Sequence, residues 1–314
     1  MKYRGHPEGL RGSFAALLTP FAADGALDLP ALRSLAQWQR DAGSHGLSVG
    51  GSTAEPGTQT VGERIAAMKT VAEVAGNDVA FIPATGALSL ADTMTLTATA
   101  QDLGADAALV ITPYYARPTQ QGLYEWYSMI AQEFPDLPLV LYNVPSRTAV
   151  DLQPSTVLRL RRDFANIVGI KETTREFEHF SHVLHLCGQD FMVWSGIELL
   201  ALPLLALGGA GFISALTNLA PRSLAQMYEH WEAGRIAQAR DIHFQLHPLA
   251  DLLFVETNPA PAKWVLQQAG LLGSAHVRPP LAGVSDAGQR RITELLRAGA
   301  PVLSSPLSDL VEPG

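Results

Sequence analysis

Short apolar runs recur along the chain, and the segments between them have the apolar spacing of helices. The runs begin at residues 13, 46, 79, 107, 138, 167, 191 and 209, so successive starts lie 18 to 33 residues apart. Each interval has room for a helix and two loops, as in repeated βα units. The runs are apolar throughout rather than alternating, which is typical of parallel strands buried on both faces. The pattern therefore predicts eight buried parallel strands alternating with helices.

Capping signals support this interpretation. Asp28 and Pro30 predict the start of a helix that ends at Gly43, and Ser89 is a candidate N-cap of another that ends near Gly104. Eight such units predict a (β/α)8 TIM barrel with its site at the C-terminal ends of the strands. An open doubly wound sheet is the alternative, but it should carry a glycine-rich phosphate turn after the first strand, and the sequence contains no such motif.

Strand signals stop near residue 235. The rest of the chain is predicted to form helices from Ile236 to Leu252, from Ala260 to Ala269 and from Asp286 to Arg297. We therefore expect residues 1–235 to form a barrel that carries the active site, and residues 236–314 to form a C-terminal helical subdomain.

Composition excludes several classes of protein. The 314 residues include 22 Lys+Arg and 30 Asp+Glu, for a net charge of −8, with 47% apolar and 17% charged residues. So apolar a chain can bury a core, which excludes a disordered protein, and its acidity argues against nucleic-acid binding. The low charge predicts that part of the exterior is covered, most simply by another copy of the chain.

The sequence also predicts a cytoplasmic protein. Its single cysteine, Cys187, cannot form an internal disulfide, and the first residues lack the apolar stretch of a signal peptide. The run from Leu199 to Leu216 has 18 residues without a charge, the length of a membrane span. Pro203 and the glycines within residues 208–211 interrupt it, so we predict a short buried helix followed by a buried strand, and no membrane insertion.

One lysine has an unusual context. The chain has four, Lys2, Lys69, Lys171 and Lys263, and three of them lie in ordinary surroundings. Lys171 ends an apolar run, so it is predicted to be buried at the C-terminal end of a strand. Burial disfavours the ammonium and lowers the pKa, giving a neutral amine that can form a Schiff base with a ketone. A salt bridge from Lys171 to Glu172 or another carboxylate explains its position equally well.

Polar residues follow other predicted strands. The second strand ends in GSTAE, residues 51–55, whose hydroxyls and free backbone amides suit a small carboxylate. The fourth ends in TPYYARP, residues 112–118, and the fifth in YNVPSRT, residues 142–148. Threonine and tyrosine hydroxyls can relay protons for imine formation without a metal ion.

Five segments together resemble the motif series of the dihydrodipicolinate synthase / N-acetylneuraminate lyase family. In chain order they are GSTAE, TPYYARPTQQGLY, YNVPSRT, GIKETT and FVETNPAPAKWVL. The match runs from Gly12 to Leu281, nearly the whole chain. The resemblance implies a TIM barrel and a Schiff-base lyase or synthase that acts on pyruvate, with no cofactor beyond the covalent imine.

The resemblance also implies catalytic roles. Lys171 is the imine-forming lysine, and Tyr142 relays protons over it with help from Thr53 and Tyr115. In the family, the residue corresponding to Tyr115 comes from the neighbouring subunit of a tight dimer, usually within a tetramer. A homodimer or homotetramer is therefore expected.

Substrate-binding residues follow from the same resemblance. Ser52 and Thr53 would hold the pyruvate carboxylate, and Gly211 and Ile213 would line the pocket. Arg147 would bind the carboxylate of a second substrate, an aldehyde or a keto acid.

The motifs do not all favour the same activity within the family. Arg147 and the NPAPAK segment, residues 258–263, favour the synthase that joins pyruvate to aspartate semialdehyde. Ala54 and Ala116 replace the glycine and asparagine that are usual at those positions, which suits a catabolic 2-keto-3-deoxy acid aldolase or dehydratase equally well, or a non-catalytic keto-acid-binding protein. We expect no lysine feedback, because the positions that bind lysine in inhibited relatives are Pro56, Val61, Arg64 and Leu88.

A histidine series suggests another chemistry. His179, His182 and His185 recur every three residues, which raises the possibility of a metal-dependent aldolase. On a helix they fan across about 120°, which is wide for one ion. We predict no metal site and a partly solvated helix face, with Cys187 as a small core residue.

Overall fold

A computed structural model describes residues 7–311 of the chain. The prediction that no signal peptide is present falls on the first residues, which lie outside the described range. Eight strands occur within the range: β1 (Gly12–Ala16), β2 (Gly46–Ser48), β3 (Ala80–Phe81), β4 (Ala108–Ile111), β5 (Leu139–Asn143), β6 (Ile167–Glu172), β7 (Met192–Ser195) and β8 (Gly211–Ser214). Each predicted apolar run overlaps one of these strands, so this prediction is confirmed.

Helices separate and follow the strands. Within the described range they are α1 (Leu29–Asp41), α2 (Val61–Ala75), α3 (Leu90–Asp102), α4 (Gln120–Glu133), α5 (Pro145–Thr148), α6 (Pro154–Asp163), α7 (Phe177–Cys187), α8 (Ala201–Ala206), α9 (Pro221–Glu232), α10 (Ile236–Gln245), α11 (His247–Leu252), α12 (Ala260–Gln268) and α13 (Asp286–Ala298). The eight strands alternate with helices along the chain, and within the described residues no strand follows α9. The predicted fold class, a (β/α)8 barrel with C-terminal helices, is confirmed.

The described chain comprises two compact units. One contains Ala80–Ile213 with the chain up to Arg11, and the other contains Gly12–Val79 with the chain from Ser214 onward. In the first, parallel ladders give the order β8-β7-β6-β5-β4. In the second, β1 pairs with β2 in parallel. The division near residue 235 that the sequence suggests stays a prediction.

Local signals explain where the helices begin. The Asp28 carboxylate accepts a hydrogen bond from the Ala31 amide at 3.0 Å at the start of α1, as predicted. The Ser89 hydroxyl accepts one from the Asp92 amide at 3.3 Å at the start of α3, also as predicted. Each cap satisfies an amide that has no partner inside its helix.

One predicted helix is wrong. The segment from Ile236 to Leu252 forms two helices, α10 and α11, which meet at Leu246. Pro248 has no amide hydrogen, and its ring clashes with the carbonyl four residues earlier, so a continuous helix is broken there. The apolar run from Leu199 contains α8 and β8, as predicted. No helix within the described part of the chain is long and apolar enough to cross a membrane.

The first unit has a continuous apolar core under its sheet. Fully buried side chains from strands and helices meet there, among them Tyr127, Ile170, Phe180 and Leu204. The C-terminal ends of β5 and β6 break this apolar pattern with four buried polar side chains in two consecutive pairs: Tyr142, Asn143, Lys171 and Glu172. Polar groups buried this deeply need partners or a function.

Candidate active site

Lys171 and Tyr142 lie side by side on neighbouring strands. The β5–β6 register pairs the two residues directly, and their side chains are 6% and 3% exposed. The Lys171 Nζ atom lies 4.5 Å from the centroid of the Tyr142 ring. Two residues that the sequence singled out are therefore brought together, with an amine and a phenol on one buried surface.

Glu172 does not form the salt bridge that was the alternative explanation of Lys171. Its carboxylate accepts hydrogen bonds from the Asn143 side chain at 3.0 and 3.2 Å and from the backbone amides of Thr173 and Thr174 at 3.0 and 3.2 Å. Among residues 7–311, no carboxylate forms an ion pair with the Lys171 amine. The salt-bridge interpretation is wrong for the described chain.

The Glu172 network fixes the geometry of the amine and the phenol. Asn143 pairs with Glu172 in the strand register, one position beyond the Tyr142–Lys171 pair. The Asn143 side chain also donates to the Asp151 carboxylate at 2.8 Å. These bonds cross-link the ends of β5 and β6 where they would otherwise fray, so they hold the relative position of Tyr142 and Lys171.

The surroundings of Glu172 and His179 shift the pKa values of both side chains. Burial raises the pKa of Glu172, although contact with His179 opposes the rise. The His179 Nε2 atom lies 3.2 Å from a Glu172 carboxylate oxygen, near enough for an ion pair. Burial lowers the pKa of His179, but the Glu172 and Asp151 carboxylates outweigh it, and the net pKa is above the ordinary value of 6.5.

We predict that this histidine makes stability depend on pH. Because its pKa is raised by folding, its stabilising contribution is fully present below about pH 6.5 and is lost as the pH rises through the folded-state value. An NMR titration of the histidine ring protons, with His179→Gln to assign the signal, should give a pKa above 6.5. Asp151→Asn should lower that pKa, because it removes a carboxylate 3.9 Å from Nδ1. A value at or below 6.5 in the unmodified chain contradicts the prediction.

The other histidines of the series point elsewhere. His182 and His185 are exposed on α7, whereas His179 is buried against Glu172. The predicted solvated face is therefore correct for two of the three residues. No group of three His, Cys, Asp or Glu side chains within residues 7–311 has the arrangement of a metal site. Cys187 is buried, and burial raises the pKa of its thiol to about 11, as suits a core residue.

Gly196 is a site residue that the sequence did not reveal. It follows β7, and its amide donates to the Glu172 carbonyl at 2.7 Å. A β-carbon at this position would lie 2.9 Å from Lys171 Cε and 2.0 Å from Thr173 Oγ1. Only a residue without a side chain leaves room for the lysine in its observed position.

We predict that Gly196→Ala impairs the site more than the fold. The added methyl group meets the flexible end of the Lys171 side chain, which can move away, and the Thr173 hydroxyl, which must rotate about its Cα–Cβ bond. The displaced Lys171 amine loses its alignment with the reacting group, and a displacement of about 1 Å lowers activity by roughly 100-fold. Gly188→Ala is the control for a general glycine effect, because open space surrounds that position, although its backbone φ of +81° disfavours a side chain. Equal kcat values for Gly196→Ala and the unmodified enzyme would contradict the prediction.

The remaining predicted residues of this unit lie at or near strand ends. Gly211 and Ile213 are two residues apart on β8, both buried, and Gly211 pairs in register with Trp194. Arg147 lies in α5, just after β5, with its side chain exposed. The buried hydroxyl of Thr112, whose amide donates to the Tyr142 carbonyl, has no hydrogen-bond partner among the described residues.

Tyr115 is exposed, whereas Lys171 and Tyr142 are buried. It is 88% exposed, and its φ of 70° is in the left-handed region that side chains disfavour. Arg117 shares this property with a φ of 48°. A strained loop that presents a large aromatic ring to solvent is typical of a contact surface.

Ser52 and Thr53 belong to the other unit. They begin a 3₁₀ turn, Ser52–Ala54, that follows β2, and Thr53 is buried. The Thr53 hydroxyl accepts a hydrogen bond from the Asn258 side chain at 3.1 Å. The amides of Ala54 and Glu55 are bonded within the turn, so those two amides are not free for a carboxylate, contrary to expectation.

Lys263 is not in ordinary surroundings, and that interpretation of the sequence is wrong. Its side chain is completely buried and forms an ion pair with Glu55, which is also buried. Its amine donates to the His276 carbonyl at 2.9 Å and lies 4.2 Å from the centroid of the Phe21 ring. Burial lowers the pKa of Lys263 to about 8, although the Glu55 carboxylate opposes the fall.

The chain is similar to known proteins over most of its length. The 4-hydroxy-tetrahydrodipicolinate synthase of Thermus thermophilus is 44% identical over 285 residues, which cover 91% of this chain and 95% of that protein. The structure of dihydrodipicolinate synthase from Aquifex aeolicus superposes with a TM-score of 0.89 at 36% identity, covering 94% of this chain and all of the other. The chloride-inhibited enzyme from Acinetobacter baumannii, solved with pyruvate, gives the same score at 35% identity and the same coverage.

A family model spans most of the chain. The pattern of the dihydrodipicolinate synthetase family matches residues 9–299, which include Lys171, Tyr142 and the other residues placed above. The similarity to the Thermus thermophilus and Aquifex aeolicus synthases extends over nearly the whole length of each of them. From its fold, its motifs and these similarities, the chain belongs to the dihydrodipicolinate synthetase family of enzymes.

Proposed function

We propose that the chain condenses pyruvate with L-aspartate 4-semialdehyde, as a 4-hydroxy-tetrahydrodipicolinate synthase. The observation that carries the proposal is the buried Lys171 amine, unpaired with any described carboxylate and placed over the Tyr142 ring. The similar proteins named above support the synthase branch, and the Acinetobacter baumannii structure contains pyruvate.

The first stage is imine formation. The Lys171 amine attacks the ketone carbon of pyruvate through its nitrogen lone pair to give a carbinolamine, which takes up a proton and loses water to form a protonated imine. Proton transfers accompany both steps, and we assign them to the Tyr142 phenol, whose ring centroid lies 4.5 Å from the Lys171 Nζ atom. The imine then accepts the electron pair left when a proton leaves the pyruvate methyl group, and an enamine results. No cofactor is required, because the imine itself is the electron sink.

The second stage forms and releases the product. The enamine carbon attacks the aldehyde of aspartate semialdehyde, whose oxygen takes up a proton. The amino group of that substrate then attacks the imine carbon, closes the ring and expels the Lys171 amine. One water molecule is released overall, and the enzyme returns to its starting state.

The other residues have roles in binding. Ser52 and Thr53 hold the pyruvate carboxylate, and Gly211 and Ile213 line the pyruvate pocket. Arg147, an exposed guanidinium just after β5, binds the carboxylate of the second substrate. We propose that residues 1–235 carry this site, with residues 236–314 as a helical subdomain, and that the enzyme works in the cytoplasm.

Borohydride trapping tests the proposal. Pyruvate with borohydride should add one reduced pyruvate to the intact protein, and peptide mass analysis should locate it on Lys171 rather than on Lys263. A turnover screen should then show condensation with aspartate semialdehyde, and little or no cleavage or dehydration of a panel of 2-keto-3-deoxy acids. An unmodified protein refutes the Schiff-base proposal, and preferred turnover of the keto-deoxy acids refutes the synthase assignment.

Tyr115 supports an oligomer with a shared site. An 88% exposed tyrosine in a left-handed conformation suits a role in a second copy of the chain. We propose that the enzyme is a homodimer or homotetramer in which Tyr115 joins the proton relay of a neighbouring subunit.

Mixed oligomers test this arrangement. Tyr115→Phe and Lys171→Ala should each be nearly inactive alone, whereas hybrids of the two should regain part of the activity, since one site in each mixed pair has both residues intact. Sedimentation should show an oligomer at assay concentration. Hybrids verified by mass that recover nothing would contradict sharing.

A further inference from the structure

A buried cluster connects the Ser52–Ala54 turn to the beginning of α12, within a single unit of the chain. Its members, called the turn clamp below, are Thr53, Glu55, Asn258 and Lys263. Asn258 donates to the Thr53 hydroxyl at 3.1 Å, and Lys263 forms an ion pair with Glu55. All four side chains are at most 6% exposed, so water does not compete for these contacts.

Glu55 depends on the clamp for its conformation. Its φ of 57° is in the left-handed region, which a residue with a side chain adopts only where its surroundings hold it there. Its carboxylate is held by Lys263 on one oxygen and by the Arg278 backbone amide, at 3.0 Å, on the other. Glu55 directly follows the turn, so losing the ion pair frees the turn to move.

Asn258 determines how the Thr53 hydroxyl is used. A hydroxyl has one proton to donate and two lone pairs that accept. Because the Asn258 amide occupies a lone pair, the Thr53 proton stays available for another acceptor. The clamp therefore fixes the place of this hydroxyl and leaves its proton free to be donated.

We propose that Lys263 and Asn258 are positioning residues, which act through Glu55 and Thr53 to orient the Thr53 hydroxyl for pyruvate binding and imine formation. The inference rests on the proposed function, because that function gives Thr53 its contact with substrate. Neither Lys263 nor Asn258 touches the reacting atoms.

Three variants separate positioning from stability. Lys263→Met removes the amine at nearly constant length, and Asn258→Ala removes the amide. Val265→Ala, in the same helix, removes buried hydrocarbon that takes no part in the clamp. At a temperature where each is folded by circular dichroism, kcat/KM for pyruvate should fall by about 10- to 100-fold in the first two, and by less than about 3-fold in the control.

A double-mutant cycle gives the decisive measurement. In a Thr53→Val background, Lys263→Met and Asn258→Ala should each lower kcat/KM by less than about 3-fold further, since the group they position is gone. A merely structural role would lower it by the same factor in both backgrounds. Equal factors overturn the inference.

A charge-neutral double variant keeps the test decisive if Lys263→Met alone does not fold. Removing Lys263 alone leaves the buried Glu55 carboxylate without its ion-pair partner, which destabilises the fold. Glu55→Gln combined with Lys263→Met removes both charges, so no unpaired charge is left buried. That double variant should fold and still show the loss of kcat/KM; if it equals the unmodified enzyme, the ion pair does not position Thr53.

Borohydride trapping of the unmodified enzyme distinguishes the two claims. If pyruvate is trapped on Lys171 while the clamp variants keep normal kcat/KM, only this inference is refuted. If the unmodified protein is never trapped, the proposed function is refuted, and the inference with it.

Discussion

Lys171→Ala is expected to lower the turnover of pyruvate by roughly 10⁴-fold or more, the scale on which losing a covalent nucleophile slows other enzymes. The same change should abolish borohydride trapping, because no other described lysine offers an accessible amine in the first unit. Lys69 is in the other unit, and Lys263 is buried against Glu55. Steady-state rates and intact-protein mass measure the two effects independently.

Variants at the same position separate charge from nucleophilicity. Lys171→Arg keeps a cation that cannot act as a neutral amine, so it should be as inactive as alanine. Lys171→Met keeps the length of the side chain without the polar end. Since the Lys171 amine has no carboxylate partner among residues 7–311, we expect Lys171→Met to be at least as stable as the unmodified protein to urea. Measurable trapping in any of these variants would contradict the assigned role.

The barrel could be predicted because its signals are local. Each buried parallel strand must be apolar on both faces, so eight runs such as residues 138–142 and 167–170 are visible without knowing what they contact. Helix caps such as Asp28 and Ser89 are local as well, since the capped amide is only three residues away. The one predicted helix that is wrong, from Ile236 to Leu252, contains a local signal against a continuous helix, because Pro248 lies inside it.

Lys171 and Tyr142 could be predicted for a related reason. A charged or phenolic group at the end of an apolar run is conspicuous, and parallel strands place such ends at the same edge of the sheet. Their direct pairing in the β5–β6 register was not predicted and is seen only in the folded chain. Whether Glu172 pairs with Lys171 did need the structure, because it depends on the direction in which the Glu172 carboxylate points.

Gly196 and Lys263 show what could not be predicted from the sequence. The meaning of Gly196 depends on the position of a lysine ε-carbon on the neighbouring strand, 25 residues away in the chain. Lys263 lies on a helix and its partner Glu55 on a turn more than two hundred residues earlier. Contacts between residues that are far apart in the chain produce no periodic pattern or local motif in the sequence, since only folding brings those residues together. The ordinary appearance of Lys263 in its own segment was therefore uninformative.

Tyr142→Phe is expected to lower kcat by about 10²- to 10⁴-fold, the usual contribution of a positioned acid–base group. The substitution removes only the phenol oxygen, and the ring that lies 4.5 Å from the Lys171 amine remains. KM for pyruvate should therefore change much less than kcat. Borohydride should still trap pyruvate on Lys171, but more slowly, because carbinolamine formation and its dehydration both lose their proton donor.

A matched tyrosine distinguishes this effect from a general loss of a phenol. The Tyr124 hydroxyl donates to the Asp163 carboxylate at 2.9 Å on the surface of the same unit, away from Lys171. Tyr124→Phe should leave kcat within about twofold and cost at most about 1 kcal/mol of stability, as for an exposed hydrogen bond. If Tyr142→Phe behaves like Tyr124→Phe, the phenol takes no part in proton transfer, and another group must protonate the departing water. The buried Thr112 hydroxyl, which has no described partner and whose amide bonds the Tyr142 carbonyl, would then be the first group to replace.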